Sequence, residues 1–383
     1  MTHTLFLQSE VQDPYAIYAE MLATQPVFRD ERNGILALYA YDACKRVLDS
    51  TRADIPRPGN TMAHPMSARA ATLADNLVRL ANPPLHASLR QAAMHLYQAL
   101  TPVDAGALLH GLLEEADAST ARELDWVGAV GKKLPALAVL SGFGFSRRDI
   151  ARILPQVAPL TKIMLPAKTE QQVQELNAAV AEVCPLVEQH MLRMPALATL
   201  IDGGEPQERQ TRLDIYAGNL IGLLIQSCDA GRGLLGNALL QTLAHPPAHA
   251  TADTLHKAVI ESLRFDPPIH NTRRVLAADM TLNGMTLAKG ETVLLVLAAA
   301  NRDPAKFDHP ERYDAERPNN GDHLSFGAGM HMCVAQHLSV QLAVDALTAL
   351  FGKYRRVALL QQRIMYEPLV NARLPREIRI ALG

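Results

Sequence analysis

Apolar residues recur at helical spacing along most of the chain, and the pattern changes to a two-residue period in only a few short stretches. The longest helical run covers residues 209–244, and its centre, residues 220–225, is apolar on nearly all sides. A helix with this pattern is buried at its middle. Residues 104–194 are predicted to be almost entirely helical, and a further helix is predicted over residues 251–265. The periodicity therefore predicts a mainly α-helical protein.

Strands are predicted where apolar and polar residues alternate, at residues 26–39, 279–287 and 291–296. Asn33-Gly34 and Asn283-Gly284 divide the first two stretches, and such dipeptides are typical of tight hairpin turns. We therefore expect small β-sheets within a helical protein.

Composition and charge exclude several classes of protein. Apolar residues make up 48% of the chain and charged residues 20%, which is an ordinary globular balance. A net charge of −2 does not favour binding to nucleic acid. No stretch approaches the roughly 18 apolar residues that a membrane span needs, and the first residues do not resemble a signal peptide. With four cysteines at unpaired spacings, we expect a soluble, cytoplasmic protein without nucleic-acid or membrane partners.

Cys333 stands between a glycine-rich loop and a helical run that begins near residue 335. Gly327 and Gly329 can adopt backbone conformations closed to other residues, so amide N–H groups can point toward the sulfur. The positive end of the following helix also favours the thiolate over the thiol. A thiolate held in this way suits the iron of a haem.

Cys333 has three other possible roles. A single cysteine is most often an inert buried side chain. A zinc site made with His331 and His337 would lack a fourth ligand, since none lies nearby in the sequence. The motif for covalent haem attachment, two cysteines followed by histidine, is absent. Haem ligation by Cys333 is favoured over all three.

This stretch resembles the haem-binding loop of the cytochromes P-450, Phe-Gly-x-Gly-x-His-x-Cys-x-Gly. The matching residues are Phe326, Gly327, Gly329, His331 and Cys333. Ala335 replaces the final glycine. The resemblance implies that the cofactor is haem b (iron protoporphyrin IX) and that Cys333 is its axial ligand. It also implies that Phe326 packs against the loop and that His331 contacts a haem propionate.

A second match lies at the start of a predicted helix, where Pro83-Pro84 precedes His86 and Arg90. On its own, a His/Arg pair one turn apart would be interpreted as a solvated polar face. Beside the cysteine loop, it resembles the family's propionate-binding His-x-x-x-Arg. Arg274 matches a further arginine that pairs with a propionate in the family.

Glu261-x-x-Arg264 and Arg317 also resemble family motifs, and the resemblance implies that they form a buried, structural charge network. The motifs together cover nearly the whole chain. They imply the cytochrome P-450 fold of the soluble bacterial type, a mainly α helical bundle around a haem with small β-sheets. Residues 1–383 are accordingly predicted to form a single domain.

The longest helix departs from the family pattern, which usually reads Ala/Gly-Gly-x-Asp/Glu-Thr at its middle. The corresponding stretch is Gln226-Ser227-Cys228-Asp229-Ala230-Gly231. Asp229 keeps the acid, but Ala230 replaces a threonine that takes part in proton delivery. We predict that Gln226, Ser227, Asp229 or a polar group of the substrate takes over this role. The alternative is that Gln226 and Ser227 only bond to helix carbonyls or point away.

The resemblance implies a haem-thiolate monooxygenase, an oxidoreductase that oxidises a small to medium-sized metabolite in a biosynthetic pathway. His270, Asn271 and Arg69 favour a polar or acidic small-molecule substrate. The missing threonine leaves two alternatives open. One is a peroxide-using enzyme (a peroxygenase), an isomerase or a dehydratase that does not use dioxygen. The other is a haem-binding module without catalysis.

A separate electron donor is expected because the chain has no flavin or iron–sulfur signature. The resemblance implies a ferredoxin with its reductase, or a flavodoxin-type donor. Family members often carry an arginine soon after the cysteine that helps to dock an acidic ferredoxin. This chain has Ser339-Val340-Gln341-Leu342 there, so the charges available for docking are weak.

Overall fold

The computed structural model describes most of the chain, namely residues 4–56, 64–116, 122–282 and 284–383. The chain divides into two compact units, which are described separately. The first unit consists of Met1–Asp54, Ala105–Lys132 and Ala230–Gly383. The second unit consists of Ile55–Asp104 and Lys133–Asp229. That the whole chain forms one domain stays a prediction.

Helices account for most of the described elements. In chain order they are α1 (Pro14–Thr24), α2 (Tyr41–Asp49), α3 (Ala68–Asp75), α4 (Leu85–Ala99), α5 (Ala105–Glu115), α6 (Leu134–Gly142), α7 (Arg147–Ile153), α8 (Val157–Thr161), α9 (Glu170–Arg193), α10 (Pro195–Asp202), α11 (Arg209–Ala244), α12 (Ala252–Phe265), α13 (Leu297–Ala300) and α14 (Gln336–Lys353). The predicted helical class is confirmed. None of these helices, as far as the described ranges extend, is long and apolar enough to cross a membrane.

The longest helix, α11, has the bounds that the sequence predicts. Its residues 220–225 are buried apart from Leu223, as their apolar pattern indicates. The next seven residues, 226–232, are partly or fully accessible, so the helix is not buried throughout its middle. Burial resumes at Gly233, where an added Cβ would lie 2.6 Å from Cβ of Pro268.

The strands form three sheets within the first unit. In chain order they are β1 (Val27–Asp30), β2 (Ile35–Leu38), β3 (Ala53–Asp54), β4 (Glu123–Asp125), β5 (Thr272–Leu276), β6 (Met280–Leu282), β7 (Met285–Leu287), β8 (Thr292–Leu295), β9 (Val357–Leu359) and β10 (Arg379–Leu382). The largest sheet has the order β1-β2-β8-β5-β3, in which only β2 and β8 run parallel. The other two sheets are β4-β10-β9 and β6-β7.

The predicted hairpin between β1 and β2 is confirmed, and Gly34 adopts a φ of 61° at its turn. The hairpin between β6 and β7 is also present, although Asn283 of its predicted turn lies outside the described residues. Strand β4 was not predicted, because it falls in a stretch expected to be helical. Asp125 ends this strand, since its side chain accepts the backbone N–H of Val127 at 3.0 Å and of Ile378 at 3.1 Å.

The core of the first unit joins the largest sheet to the helices around it. Leu36, Val293, Leu295 and Phe307 belong to one buried apolar cluster there. Helix α14 packs against α12 and α5 in the same unit. In the second unit, α9 packs against α3, α7, α8 and α10, and α10 also contacts α4. The four cysteines form no disulfide bond.

Candidate active site

The loop that ends at Cys333 is shaped by two glycines with positive φ. Gly327 has a φ of 71° and Gly329 a φ of 65°, values that other residues rarely adopt. The turn is closed by the backbone N–H of Cys333, which donates to the carbonyl of Phe326 at 3.0 Å. Cys333 is partly buried and lies three residues before α14 begins. The structure therefore presents this thiol at the end of a tightly turned loop.

Gly329 also brings the loop into close contact with the end of α2. A Cβ added at this position would lie 2.4 Å from the carbonyl oxygen of Leu48 and 3.0 Å from Cα of Asp49. Both neighbours are backbone atoms, which cannot move aside as a flexible side chain could. The loop can therefore take this position only with glycine at residue 329.

Hydrogen bonds to other elements hold the start of the loop. Asn301 is fully buried, and its Oδ1 accepts the N–H of Leu324 at 2.7 Å. Its Nδ2 donates to Oγ of Ser325 at 2.8 Å, and that hydroxyl donates to the carbonyl of Leu263 at 2.6 Å. These bonds tie the loop to α12 and to the end of α13. Sequence reasoning missed Asn301 and Ser325, because neither has a local signal apart from being polar next to apolar runs.

His323 contributes a further, partly buried contact at the same place. Its Nδ1 accepts the backbone N–H of Ser325 at 3.3 Å, and its ring lies 5.7 Å from the ring of Phe326. Burial lowers the pKa of His323 to about 4, so the imidazole is neutral near pH 7 and keeps its acceptor nitrogen.

The predicted charge network is confirmed. Glu261 and Arg264 are both completely buried and form a two-point ion pair, with N···O distances of 2.6 and 2.8 Å. Arg317 adds a third charge, with Nε 3.5 Å from Oε1 of Glu261. Arg264 also donates to the carbonyls of Asn301 and Pro310, each at 3.0 Å. The network therefore fixes the segment that precedes the Cys333 loop.

Two further residues predicted to contact the haem, Arg274 and His331, also belong to the first unit. Arg274 is on β5 and is 4% exposed, and its Nη1 donates to Oγ1 of Thr272 at 3.2 Å and to the carbonyl of Arg273 at 2.8 Å. His331 is partly buried, two residues before the cysteine. A buried guanidinium of this kind can bind a carboxylate strongly.

In the second unit, His86 and Arg90 lie one turn apart on α4, as the sequence predicts. His86 is buried, whereas Arg90 is partly exposed. Burial lowers the pKa of His86, and the positive charge of Arg90 lowers it further. The imidazole is therefore a neutral hydrogen-bonding group beside a permanent cation.

The predicted distal residues bond back onto their own helix. Gln226 is exposed, and its Nε2 donates to the carbonyl of Gly222 at 3.1 Å. Ser227 donates its hydroxyl to the carbonyl of Leu224 at 2.9 Å. Asp229 is partly buried. The hydrogen bonds to helix carbonyls agree with the alternative considered from the sequence, but the catalytic roles of all three residues stay predictions.

The residues expected to make the substrate pocket polar are engaged within the protein. His270 is completely buried, and both ring nitrogens lie within hydrogen-bonding distance of tyrosine hydroxyls. Asn271 donates to the carbonyl of Val370 at 2.9 Å, and Arg69 pairs with Glu188 at 2.5 Å. The expectation that His270 faces the substrate is wrong, because residues far away in the sequence cover it.

The donor set suits a haem better than a zinc ion. Within the described ranges, no three His, Cys, Asp or Glu side chains come together in a way that could hold a metal ion, so the zinc alternative for Cys333 has no support. A haem iron needs only one thiolate from the protein. The buried Arg274 and the His86/Arg90 pair are of the kinds that bind propionate carboxylates. The residues present therefore fit this cofactor.

Comparisons with known proteins agree with this chemistry. A family model described as Cytochrome P450 matches residues 252–356, which include α12, the charge network and the Cys333 loop. Putative cytochrome P450 140 of Mycobacterium bovis is 30% identical over 246 residues, which is 60% of this chain and 56% of that relative. The chain thus aligns with little more than half the length of this relative.

Two further matches extend over the whole chain. The biotin biosynthesis cytochrome P450 of Bacillus subtilis is 24% identical over 388 residues, covering 97% of this chain and 96% of the relative. The crystal structure of P450BioI with a hexadec-9Z-enoic acid ligated acyl carrier protein has a TM-score of 0.83 at 24% identity, covering 98% of this chain and 100% of that chain. The predicted P450 fold is thereby confirmed. The chain is thus similar to cytochromes P450 in its C-terminal sequence and in its fold, and members of that family bind haem as their cofactor.

Proposed function

We propose that this protein is a haem-thiolate monooxygenase that oxidises a small to medium-sized metabolite. The observation that carries the proposal is the loop of Cys333, which is turned by two positive-φ glycines and linked through Asn301 to the buried Glu261–Arg264 pair. Such a loop holds a sulfur in a defined position beside the start of a helix. A cysteine with a purely structural role requires neither the tightly turned loop nor the position beside a helix start.

The proposed cofactor contacts follow from the chemistry of the side chains. Cys333 would ligate the iron, and Phe326 would pack against the loop. Arg274, with His331, would pair with propionate groups, because a buried guanidinium gains from an adjacent carboxylate. When bound, haem would supply the redox chemistry that activates dioxygen.

His86 and Arg90 are proposed to bind propionates in different ways. Because the pKa of His86 is lowered, its ring donates one neutral N–H. Arg90 provides the positive charge of the pair. Exchanging Arg90 for glutamine should therefore weaken haem retention more than exchanging His86 for glutamine.

Proton delivery is proposed to depend on the accessible middle of α11. One N–H of Gln226 Nε2 donates to the carbonyl of Gly222, and its Oε1 can accept a hydrogen bond from water or substrate. Likewise, the hydroxyl hydrogen of Ser227 is donated to Leu224, which leaves its oxygen as an acceptor. Of the three, only Asp229 has an ionisable side chain that can take up a proton from solvent and release it again. We therefore propose Asp229 as the proton donor and Gln226 and Ser227 as the residues that order water around it.

The electron donor is proposed to be a separate protein that docks largely through apolar contacts. Helix α14 carries no lysine or arginine before its last residue, Lys353. Next to Cys333, Met332 is 37% exposed. An acidic ferredoxin would gain little electrostatic steering from such a surface.

A second candidate is a peroxygenase, which Ala230 favours. A methyl group can neither hold a water nor pass on a proton, and an oxidant that already carries the peroxide bond needs fewer protons delivered. Weak basic charge on α14 favours this candidate as well, since no electron donor has to bind.

Turnover measurements on the haem-loaded protein distinguish the two functions. The substrate is a compound whose binding changes the spin state of the iron. We expect product with dioxygen, NADPH and a ferredoxin–reductase pair, and little product with hydrogen peroxide alone. The variant Ala230→Thr, which restores a hydroxyl, should raise the product formed per NADPH consumed. Product with peroxide only, at a rate that Ala230→Thr leaves unchanged, would replace the first proposal by the second.

A further inference from the structure

A cavity of about 240 Å³ lies in the first unit, away from the Cys333 loop in the sequence. It is formed by the N-terminal segment around residues 8–12 and the segment 362–373. Its polar lining includes Gln8, Gln12, Gln362, Arg363, Tyr366 and Arg373. None of the functions discussed above uses these residues.

Arg373 lies at this cavity, and its buried Nη1 group has no hydrogen-bond partner among the described residues. It is 6% exposed, and its Nη2 donates to the carbonyl of Gln12 at 3.2 Å. Its guanidinium stacks on the ring of Tyr366, with Cζ 3.6 Å from the ring centre. Nε is 3.9 Å from Asp266, too far for a hydrogen bond.

Behind Arg373, a chain of buried hydrogen bonds leads from Asp266 to Gln8. Burial lowers the pKa of His270 well below its usual value, so this ring is neutral and donates from one nitrogen only. Tyr15 donates to Oδ1 of Asp266 at 2.6 Å and therefore accepts from Nε2 of His270 at 3.3 Å. Nδ1 of His270 then accepts the hydroxyl hydrogen of Tyr18 at 3.0 Å.

This order fixes the orientation of the Gln8 amide. Since Tyr18 has already donated its hydrogen, it accepts from Nε2 of Gln8 at 3.4 Å. Oε1 of Gln8 must then be the free end of the amide. It is buried and has no hydrogen-bond partner within the part of the chain that the structure describes. The side chain cannot turn over without placing a carbonyl oxygen against the Tyr18 oxygen.

The charges at the cavity favour an anion. Two arginines, Arg363 and Arg373, are among the described lining residues, which include no aspartate or glutamate. The nearby carboxylate of Asp266 also interacts electrostatically with Arg302, so it does not neutralise Arg373 alone. Positive charge is therefore in excess around the unbonded Nη1.

We propose that this cavity, the Arg373 pocket, binds a small metabolite with a carboxylate or phosphate group and a hydrogen-bond donor. The anionic group binds Nη1 of Arg373, with Arg363 as a second cation at the surface. The donor, a hydroxyl or amine, binds Oε1 of Gln8. The volume far exceeds the roughly 10–15 Å³ that one water occupies by the same measure. It is below the 300 Å³ or so of sites for larger ligands, so the ligand has few heavy atoms.

The test is isothermal titration calorimetry of the haem-loaded protein in a buffer without phosphate or carboxylate. Four probes are used: inorganic phosphate, glycerol 3-phosphate, acetate and glycolate. We expect saturable binding within the phosphate pair or the carboxylate pair, which identifies the anionic group. Within that pair, the probe with a hydroxyl should bind more tightly, because only it can donate to Gln8.

Variants assign the binding to the named atoms. Arg373→Lys should weaken binding by about tenfold, because lysine keeps the charge but not the planar donor geometry. Gln8→Met should abolish the advantage of the hydroxyl-bearing probe. Arg363→Gln, at an exposed position, should weaken binding without affecting folding, and Arg376→Gln, outside the pocket, should leave it unchanged. The proposal is overturned if the folded protein binds none of the four probes, or if neither Arg373→Lys nor Arg363→Gln weakens the binding.

Discussion

The Cys333 loop and the middle of α11 satisfy their polar groups in opposite ways. Around the loop, Ser325 and Asn301 bond to one another and to α12, so the loop's position depends on several other elements. In α11, Gln226 and Ser227 bond to carbonyls of their own helix. These two hydrogen bonds therefore need no partner outside the helix. Because these bonds stay within the helix, the departure from the family pattern at Ala230 does not interrupt α11, which runs unbroken from Arg209 to Ala244.

The largest effect should come from the buried charge network. Glu261→Gln removes the carboxylate that serves Arg264 and Arg317, and leaves two guanidiniums in the core without it. Breaking a buried ion pair in this way costs about 3–5 kcal/mol of the free energy of unfolding. Denaturant unfolding of the haem-loaded protein measures this loss.

The matched control is Glu316→Gln. It breaks the exposed ion pair between Glu316 and Lys257, and Lys257 lies on α12, as Glu261 does. An exposed pair of this kind contributes little to stability, so this variant should unfold almost like the unmodified protein. Equal losses for the two variants would contradict the central role of the buried network.

The next largest effect should follow Gly329→Ala. Alanine would be strained at a φ of 65°, and its Cβ would meet the backbone of Leu48. Together these effects should cost about 2–4 kcal/mol and displace the loop, with a lower haem content after purification. Gly321→Ala, where an added Cβ has open space, serves as the control and should retain its haem. Normal haem content in Gly329→Ala would show that the loop tolerates displacement.

Acidification should weaken the loop region through His323. Its pKa in the folded protein is about 4, below the ordinary 6.5, so the unfolded chain takes up the proton first as the pH falls. The stability contributed by neutral His323 is complete near pH 7 and declines below pH 6.5. At pH 5 the loss is about 2 kcal/mol.

Other histidines also titrate in this pH range. The contribution of His323 is therefore measured as the difference in the free energy of unfolding between the unmodified protein and His323→Asn. The unmodified protein should lose about 2 kcal/mol more than this variant between pH 7 and pH 5. Parallel pH profiles for the two proteins would show that His323 is not held neutral.

The smallest effect on stability should come from α11. Gln226→Ala and Ser227→Ala each remove a bond to a carbonyl of the same helix, so each should change the free energy of unfolding by less than about 1 kcal/mol. Both variants should nevertheless lower the product formed per NADPH consumed, and Gln241→Ala on the same helix should not. Unchanged product yield in both would remove these residues from proton delivery.

The sequence predicted those parts of the fold that depend on local patterns. The bounds of α11 follow from its apolar run, and the first hairpin follows from Asn33-Gly34. Strand β4 was missed because its three residues are too few to show a period, and its partner, β10, lies about 250 residues away in the chain. Pairings between distant segments leave no signal in a single local stretch.

The same distinction applies to the site. Cys333 and its glycines form one continuous motif and were predicted. Asn301 was missed, because only the folded chain brings it to Leu324. His270 was assigned to the substrate pocket, yet Tyr15 and Tyr18 enclose it from the other end of the chain.

The most direct test of the account is the absorption spectrum of the reduced protein with carbon monoxide, for the unmodified chain and for Cys333→His. We predict the thiolate-type spectrum for the unmodified protein and for the control Cys184→Ala. Cys333→His should bind haem with the spectrum of an imidazole ligand instead. A thiolate-type spectrum that survives in Cys333→His would contradict the assignment of Cys333 as the iron ligand.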